Sequence, residues 1–299
     1  MYTKAIIILA LIVALAIVIS KVMTMRRELP FQEIIPLDGA VAVANTQNWY
    51  NNSLDITLKS DSDPIQSRSY NSSGFCIFKG LKNGKKYNIE IERTDLKGML
   101  LYKRLTREIT PRAGDTKYLV LIGASVGKAW NFPQLVNRYE LGENVVLGYR
   151  CKYDFDKSAE LNILFKAPFQ VSGIIIKECS AYFPRERKPS EEMIKLWVKA
   201  IRSHGIVPIL ATVVPVTKER DKTSPGKFRS ILEFNDFIRD YAAEEHLHIL
   251  DLERAVRISD IDRHLREEYA QPDGSHLVKK AYNEALDKIA VQLIREFTD

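Results

Sequence analysis

The chain has 299 residues, 45% hydrophobic and 27% charged, with 44 Lys and Arg against 38 Asp and Glu. These values exclude a disordered or fibrous chain, and three cysteines (Cys76, Cys151, Cys179) are too few for a disulfide framework. Four of the six net positive charges, Lys4, Lys21, Arg26 and Arg27, lie in the acid-free residues 1–27. That leaves only +2 on residues 28–299, so the charge does not point to a nucleic-acid partner.

Ala5 to Ile19 is an unbroken run of fifteen apolar residues. Extended through Ser20–Met23, with Lys21 snorkelling to the interface, it approaches the roughly twenty residues a span needs. We therefore expect a transmembrane anchor over residues 5–25, within an anchor-and-flank segment 1–27. A cleaved signal peptide is the competing reading, but no polar stretch sets Val18–Ser20 apart as a cleavage site. The count of positive charges slightly favours a cytoplasmic body. The function inferred below favours an exported one, and a single-pass protein with an extracytoplasmic body is the expectation adopted.

Residues 28–36 read as a short stem ending in Pro36. From 37 to 110 the pattern is β-like: Val41–Ala44, Leu54–Leu58, Phe75–Phe78, Tyr87–Ile91 and Met99–Leu101 are short apolar or alternating runs separated by Asn, Ser, Asp and Gly clusters. A small antiparallel sandwich follows from that spacing. Within it, Gly80-Leu81-Lys82-Asn83-Gly84-Lys85-Lys86-Tyr87-Asn88-Ile89-Glu90-Ile91 resembles the fibronectin type III signature. The resemblance implies that Leu81 and Tyr87 pack in the core and that the Tyr87 hydroxyl bonds back to backbone. Asn83 stands where that family usually has Pro, and Trp49 is a candidate core Trp. An ordinary Asn-Gly hairpin is the local alternative.

Residues 111–116 read as a linker, beyond which strands alternate with helices. Tyr118–Ile122, Asn144–Leu147, Val171–Ile176, Val207–Val214 and His248–Leu250 are the expected strands. Glu191–Ser203, Phe228–Glu245 and His276–Phe297 are the expected helices, the last with Leu277, Tyr282, Leu286, Ile289 and Leu293 as its inner stripe. Such alternation implies a parallel sheet covered on both faces over 117–299, with ligands bound beyond the carboxyl ends of the strands.

The first of those strands runs into Gly123-Ala124-Ser125-Val126-Gly127. A Ser at a strand-to-helix turn can present its hydroxyl where free helix N–H groups point; Gly123 would permit the tight turn and Gly127 a close backbone approach. Alternatively, Ser125 is an N-cap. The loop before the last helix reads Asp273-Gly274-Ser275-His276, where the carboxylate could fix the imidazole's tautomer. The local alternative there is a turn at Asp273–Gly274 with Ser275 capping the helix.

The order of these two blocks resembles the GDSL or SGNH hydrolases, over roughly residues 117–297. The resemblance implies a flavodoxin-like three-layer sandwich of five parallel strands. It also implies Ser125 as nucleophile, His276 as general base, Asp273 as its orienting acid, and no cofactor. Ala124 replaces the family's Asp in the first block, and no Asn follows the third strand. The candidate oxyanion donors are therefore Ser125, Gly148, Cys151, Cys179 and Ser180. The α/β-hydrolase elbow ranks lower, because the Ser follows the first strand. His204, His246 and His264 lack metal-ligand spacing, Asp251 reads as a helix-start group, and a disulfide between Cys151 and Cys179 is left open. The expectation is a membrane-anchored acyl-ester hydrolase acting on an acylated cell-envelope glycan. An O-acyltransferase using the same acyl-enzyme and a non-catalytic glycan-binding scaffold are the alternatives.

Overall fold

The computed structural model describes residues 33–45, 53–70, 74–94 and 105–298. The anchor expected over residues 5–25, Trp49 and the expected strand Met99–Leu101 lie outside them. Among the described residues no helix is long and apolar enough to cross a membrane. The chain divides into two compact units, one up to Ala113 and one from Gly114.

The first unit is two antiparallel sheets. One has the order β1 (Glu33–Leu37), β2 (Ala40–Asn45), β5 (Gly74–Lys79); the other runs β4 (Gln66–Tyr70), β3 (Ser53–Lys59), β6 (Tyr87–Thr94), β7 (Leu105–Ile109). Alternation decides which side chains face inward. Ile56 and Leu58 of β3 and Tyr87, Ile89 and Ile91 of β6 meet Val41, Val43, Cys76 and Phe78 of the other sheet in one core. Leu81 joins that core. The Tyr87 hydroxyl accepts the Lys82 N–H (3.0 Å) and donates to Asp63 (2.7 Å). Residues 33–36, expected as the end of a stem, instead form a strand with Leu37, paired along its length with β2. Pro36 is tolerated there because β1 is an edge.

The second unit is built on a five-stranded parallel sheet. Its strands are β8 (Lys117–Gly123), β9 (Val145–Cys151), β10 (Gly173–Lys177), β11 (Val207–Ala211) and β12 (His248–Leu250), in the spatial order β12-β11-β10-β8-β9. This is the flavodoxin-like order, with the chain reversing direction across the sheet beside β8. The connecting helices are α1 (Ser125–Trp130), α2 (Leu135–Tyr139), α3 (Ser158–Phe165), α4 (Arg187–Ser203), α5 (Lys218–Thr223), α6 (Lys227–Glu244) and α7 (Leu252–Val256). The closing helix begins at Lys279, makes a π-helical turn at Tyr282–Leu286 and ends as α8 (Asp287–Thr298). Leu119 and Leu121 of β8 face α1, α2, α7 and the closing helix in a single core. Tyr118, Val120 and Ile122 alternate with them and are fully buried on the opposite face.

Several boundaries differ from expectation: α4 starts at Arg187 rather than Glu191, β10 spans Gly173–Lys177 rather than Val171–Ile176, and three others bear on the site. β9 continues four residues past Leu147 to Cys151. β11 stops at Ala211 rather than Val214, because the Asn235 side chain takes the place of a neighbouring strand: its Oδ1 accepts the Val213 N–H (2.7 Å) and its Nδ2 donates to the Val213 carbonyl (2.8 Å). The closing helix starts at 279, not 276, because residues 273–278 are tied into a loop of their own. There Gln271 donates its N–H to the His276 carbonyl and its side-chain amide to that of Leu277, both at 2.8 Å.

Candidate active site

β8 ends at Gly123, and the next residue, Ala124, sits just before α1 with φ −111° and ψ −140°. Ser125 is therefore the first helical residue and not the cap; Ala124 holds the cap position with no side-chain hydrogen bond. The hydroxyl is free for other work, and it meets the imidazole of His276, with Ser125 Oγ 3.0 Å from His276 Nε2. The other ring nitrogen, Nδ1, lies 2.5 Å from Asp273 Oδ2.

The protonation pattern follows from the acid. Partial burial raises the Asp273 carboxyl, but the N–H groups of His276 and Ser275 and the imidazole outweigh it and hold its pKa at about 2. The ionised carboxylate can only accept, so Nδ1 carries the proton. In the neutral ring Nε2 is then an acceptor, turned to take the Ser125 proton. Asp273 and His276 are both partly open to solvent, at 48% and 43% side-chain exposure.

The acid–base loop is clamped from below. Asp273 Oδ1 accepts the N–H of both Ser275 and His276 at 3.0 Å. The Thr217 N–H donates to the Gly274 carbonyl at 3.0 Å. Gly274 has φ +66°, and a Cβ there would lie 2.5 Å from Thr217 Oγ1 and 2.7 Å from Arg220 Cβ. Only glycine fits this joint between the loop and α5. Ser275 caps nothing, since the closing helix starts four residues later.

The Ser125 turn is braced by Tyr149, which the sequence reading missed. Its hydroxyl donates to the Ala124 carbonyl at 2.6 Å, with the Gly123 carbonyl at 3.2 Å. Gly127 is what admits the ring: a Cβ there would lie 2.6 Å from Tyr149 Cε2. The Gly123-x-x-x-Gly127 spacing was the available signal, though only Gly127 meets a steric demand. Gly123 has no positive φ, and a Cβ there would make an ordinary 3.6 Å contact with Lys177.

The oxyanion candidates separate. Gly148 pairs with Val120 deep in the ladder, three residues, or about 10 Å, below the strand tip. It is removed from the candidates, because β9 runs on past it. Cys151 pairs with Gly123 at the tip itself. Cys179 and Ser180 continue beyond β10, whose Ile176 lies beside Ile122, and Ser180 opens a short 3₁₀ turn. The Ser125 N–H belongs to the first turn of α1, where helix N–H groups lack intrahelical partners. Both cysteines are free and half-buried.

Behind the β10 tip lie charges the sequence did not reveal as buried. Lys177 is enclosed and donates to the Glu178 carbonyl at 2.9 Å, and Lys157 donates to Glu178 Oε2 at 2.7 Å. The Lys157 ammonium also sits over the rings of Tyr182 and Trp197, 5.5 and 5.4 Å from their centroids. Asp251 caps α7, accepting the Arg254 N–H. His264 stacks on Phe228 and His204 on Phe165. Among the described residues no group of three or more His, Cys, Asp or Glu side chains could hold a metal ion.

No family model and no curated protein sequence matches the chain. Among solved structures, a GDSL-like lipase from Bacteroides thetaiotaomicron is 15% identical, with 60% of this chain and 89% of that one covered at a TM-score of 0.48. A lipase/acylhydrolase from Enterococcus faecalis is 20% identical, with 60% and 96% covered at 0.47. A carbohydrate acetylesterase family member from Sinorhizobium meliloti is 14% identical, with 60% and 98% covered at 0.45. The function proposed next rests on the geometry of the site and not on these likenesses.

Proposed function

We propose that this protein is a serine ester hydrolase whose nucleophile is Ser125. The observation that carries the reading is the continuous relay Ser125 Oγ–His276 Nε2 and His276 Nδ1–Asp273 at 3.0 and 2.5 Å. Nε2 takes the Ser125 proton as Oγ attacks the ester carbonyl, and the imidazolium then delivers that proton to the departing alcohol. Water, deprotonated by the same nitrogen, releases the acyl group and frees Ser125. The negative oxygen of each tetrahedral intermediate is met by the Ser125 N–H and by donors at Cys151, Cys179 or Ser180. No cofactor enters the scheme. Ser125→Ala in the full-length chain should lower p-nitrophenyl acetate turnover by on the order of 10³-fold or more, with an unchanged melting curve. Wild-type turnover in a normally folded Ser125→Ala variant would refute the assignment.

The substrate in this proposal is an acylated cell-envelope glycan, met by an exported body anchored through residues 5–25. The fifteen-residue apolar run supports the anchor. The three- and four-stranded sheets and the backbone bond of the Tyr87 hydroxyl support a fibronectin type III-like accessory domain over 37–110. Resistance to carbonate extraction, and digestion of the body by protease added outside spheroplasts, test the placement. One observation favours a second reading, a glycan-binding scaffold: no carboxamide side chain follows β10, where Cys179 and Ser180 stand. A wild-type chain that binds glycan but neither cleaves an ester nor transfers an acyl group would decide for it; transfer to a sugar acceptor would instead identify an O-acyltransferase.

A further inference from the structure

A cavity of about 530 Å³ opens beside the acid–base loop, on the side of Asp273 and Gly274. Its walls come from α5 and from the segment leading into the loop. They hold no Leu, Ile, Val, Phe or Met, so nothing there would receive an acyl chain. Two of its charged groups stand out by having no ion-pair or hydrogen-bond partner for their charged ends among the described residues: the guanidinium of Arg220 and the carboxylate of Glu267. Glu219, by contrast, is paired with Lys222 at 3.0 Å, and Asp273 is engaged by His276. Arg220 and Glu267 line the same cavity but do not pair with each other.

We propose that this cavity is a subsite for a neutral, polyhydroxylated sugar ring, the alcohol side of the ester cleaved at Ser125. The inference rests on the ester-hydrolase reading of that residue. The chemistry selects the class by exclusion. An anionic ligand would meet the Glu267 carboxylate, a cationic one the Arg220 guanidinium, and an apolar one would strip water from both without replacing its hydrogen bonds. Sugar hydroxyls donate and accept at once, so one ring can donate to Glu267 and accept from Arg220. The exposed ring of Pro272 and the partly exposed Ala270 give the sugar's C–H side a surface to lie on. Because Asp273 lines the cavity and also holds His276, a ring seated there is anchored next to the relay. Binding energy from this remote part of the substrate would then serve to position the ester.

The test uses the full-length chain, an O-acetylated neutral oligosaccharide and p-nitrophenyl acetate. Arg220→Ala and Glu267→Ala should each lower kcat/KM for the oligosaccharide at least fivefold more than kcat/KM for p-nitrophenyl acetate. Equal effects on both esters, or none on either, would overturn the subsite while leaving the esterase reading intact. A second arm does not depend on catalysis: the deacetylated oligosaccharide is titrated calorimetrically into Ser125→Ala. Binding lost in Ser125→Ala/Arg220→Ala supports the subsite even if the wild type cleaves no ester. No binding, or a preference for a uronic-acid oligosaccharide of equal length, refutes it.

Discussion

Two groups of buried charges in the second unit are built in opposite ways. The Glu253 carboxylate, at 0% side-chain exposure, is saturated: Arg263 reaches it at 2.6 and 2.8 Å, Asn235 at 2.8 Å, Arg239 at 2.9 Å and Arg257 at 3.2 Å. Its own N–H donates to Thr212 Oγ1 at 2.9 Å. Burial alone would raise its carboxyl, but the bonds from Arg263 and Asn235 and the charge of Arg239 hold it below the usual range. Glu178 is equally enclosed, yet Oε2 meets only Lys157 and Oε1 has no partner among the described residues. Burial pushes the Glu178 carboxyl up and the Lys157 and Lys177 ammonium groups down. The first group is a tie that closes the sheet's β11–β12 end. The second is undersupplied and stands directly before Cys179, beside the turn that carries Ser125. The contrast is in the number of donors: several charged or amide groups reach Glu253, and one ammonium reaches Glu178.

That contrast can be broken by substitution. Glu253→Gln should have the largest effect, lowering the unfolding free energy by about 3–5 kcal/mol in chemical denaturation, because it leaves several guanidinium groups facing a neutral amide. A loss under about 1 kcal/mol would mean that the tie contributes little. Lys157→Met should cost less, about 1–3 kcal/mol, since the abandoned Glu178 can take up a proton. It should also lower ester turnover by displacing the 177–182 loop. Lys157→Met/Glu178→Leu should recover most of the stability without recovering turnover, and a double variant no more stable than the single one would contradict the account.

Acid sharpens the comparison further. Glu253 has a depressed folded pKa, so its contribution is complete above the unfolded value of about 4.3 and is lost as pH falls through the folded one. Glu178 is raised, so its contribution is complete below that unfolded value and is lost as pH rises through the folded one. Between pH 6 and pH 3 the melting deficit of Glu253→Gln should therefore shrink. That of Glu178→Gln should grow as the pH is lowered, and parallel curves for the two would refute the assignment. The smallest effect belongs to Asp273, held at about 2. Its support of the loop should be intact above pH 4 and lost between pH 4 and 2, a component of the melting profile that Asp273→Asn should lack.

Much of this was legible in the chain. Ser125, Asp273 and His276 could be placed because each lies beside glycine-marked turns at the ends of regular elements. The β8 strand showed as a wholly apolar run. What failed did so for physical reasons. Gln66–Tyr70 has no apolar alternation, since an edge strand can be held by backbone bonds alone. Gly148 looked like a strand end because Tyr149, Arg150 and Cys151 do not look like strand interior, yet Arg150 is 1% exposed. Nothing in the sequence marks the lysines at 157 and 177 as buried, because charged side chains usually lie at the surface. The end of β11 at Ala211 depends on one amide, Asn235, twenty-two residues beyond the Val213 it bonds, and no local pattern encodes it.

The closing helix has one more consequence. Asp287 is fully buried and accepts from Trp130 Nε1 at 2.7 Å, from Arg138 at 3.0 Å and from Tyr139 at 3.1 Å, so the helix that starts at Ser125 is stapled to residues near the far end of the sheet's sequence. Ser125 and His276 are 151 positions apart. At about 5–20 residues per second, a ribosome finishes the proposed nucleophile roughly 8–30 s before it finishes the proposed base. During that interval the emerging chain carries a serine with nothing to take its proton. On the proposed ester-hydrolase reading, a product that ends before His276 is inert, and competence arrives only when the loop carrying Asp273 and His276 meets Ser125.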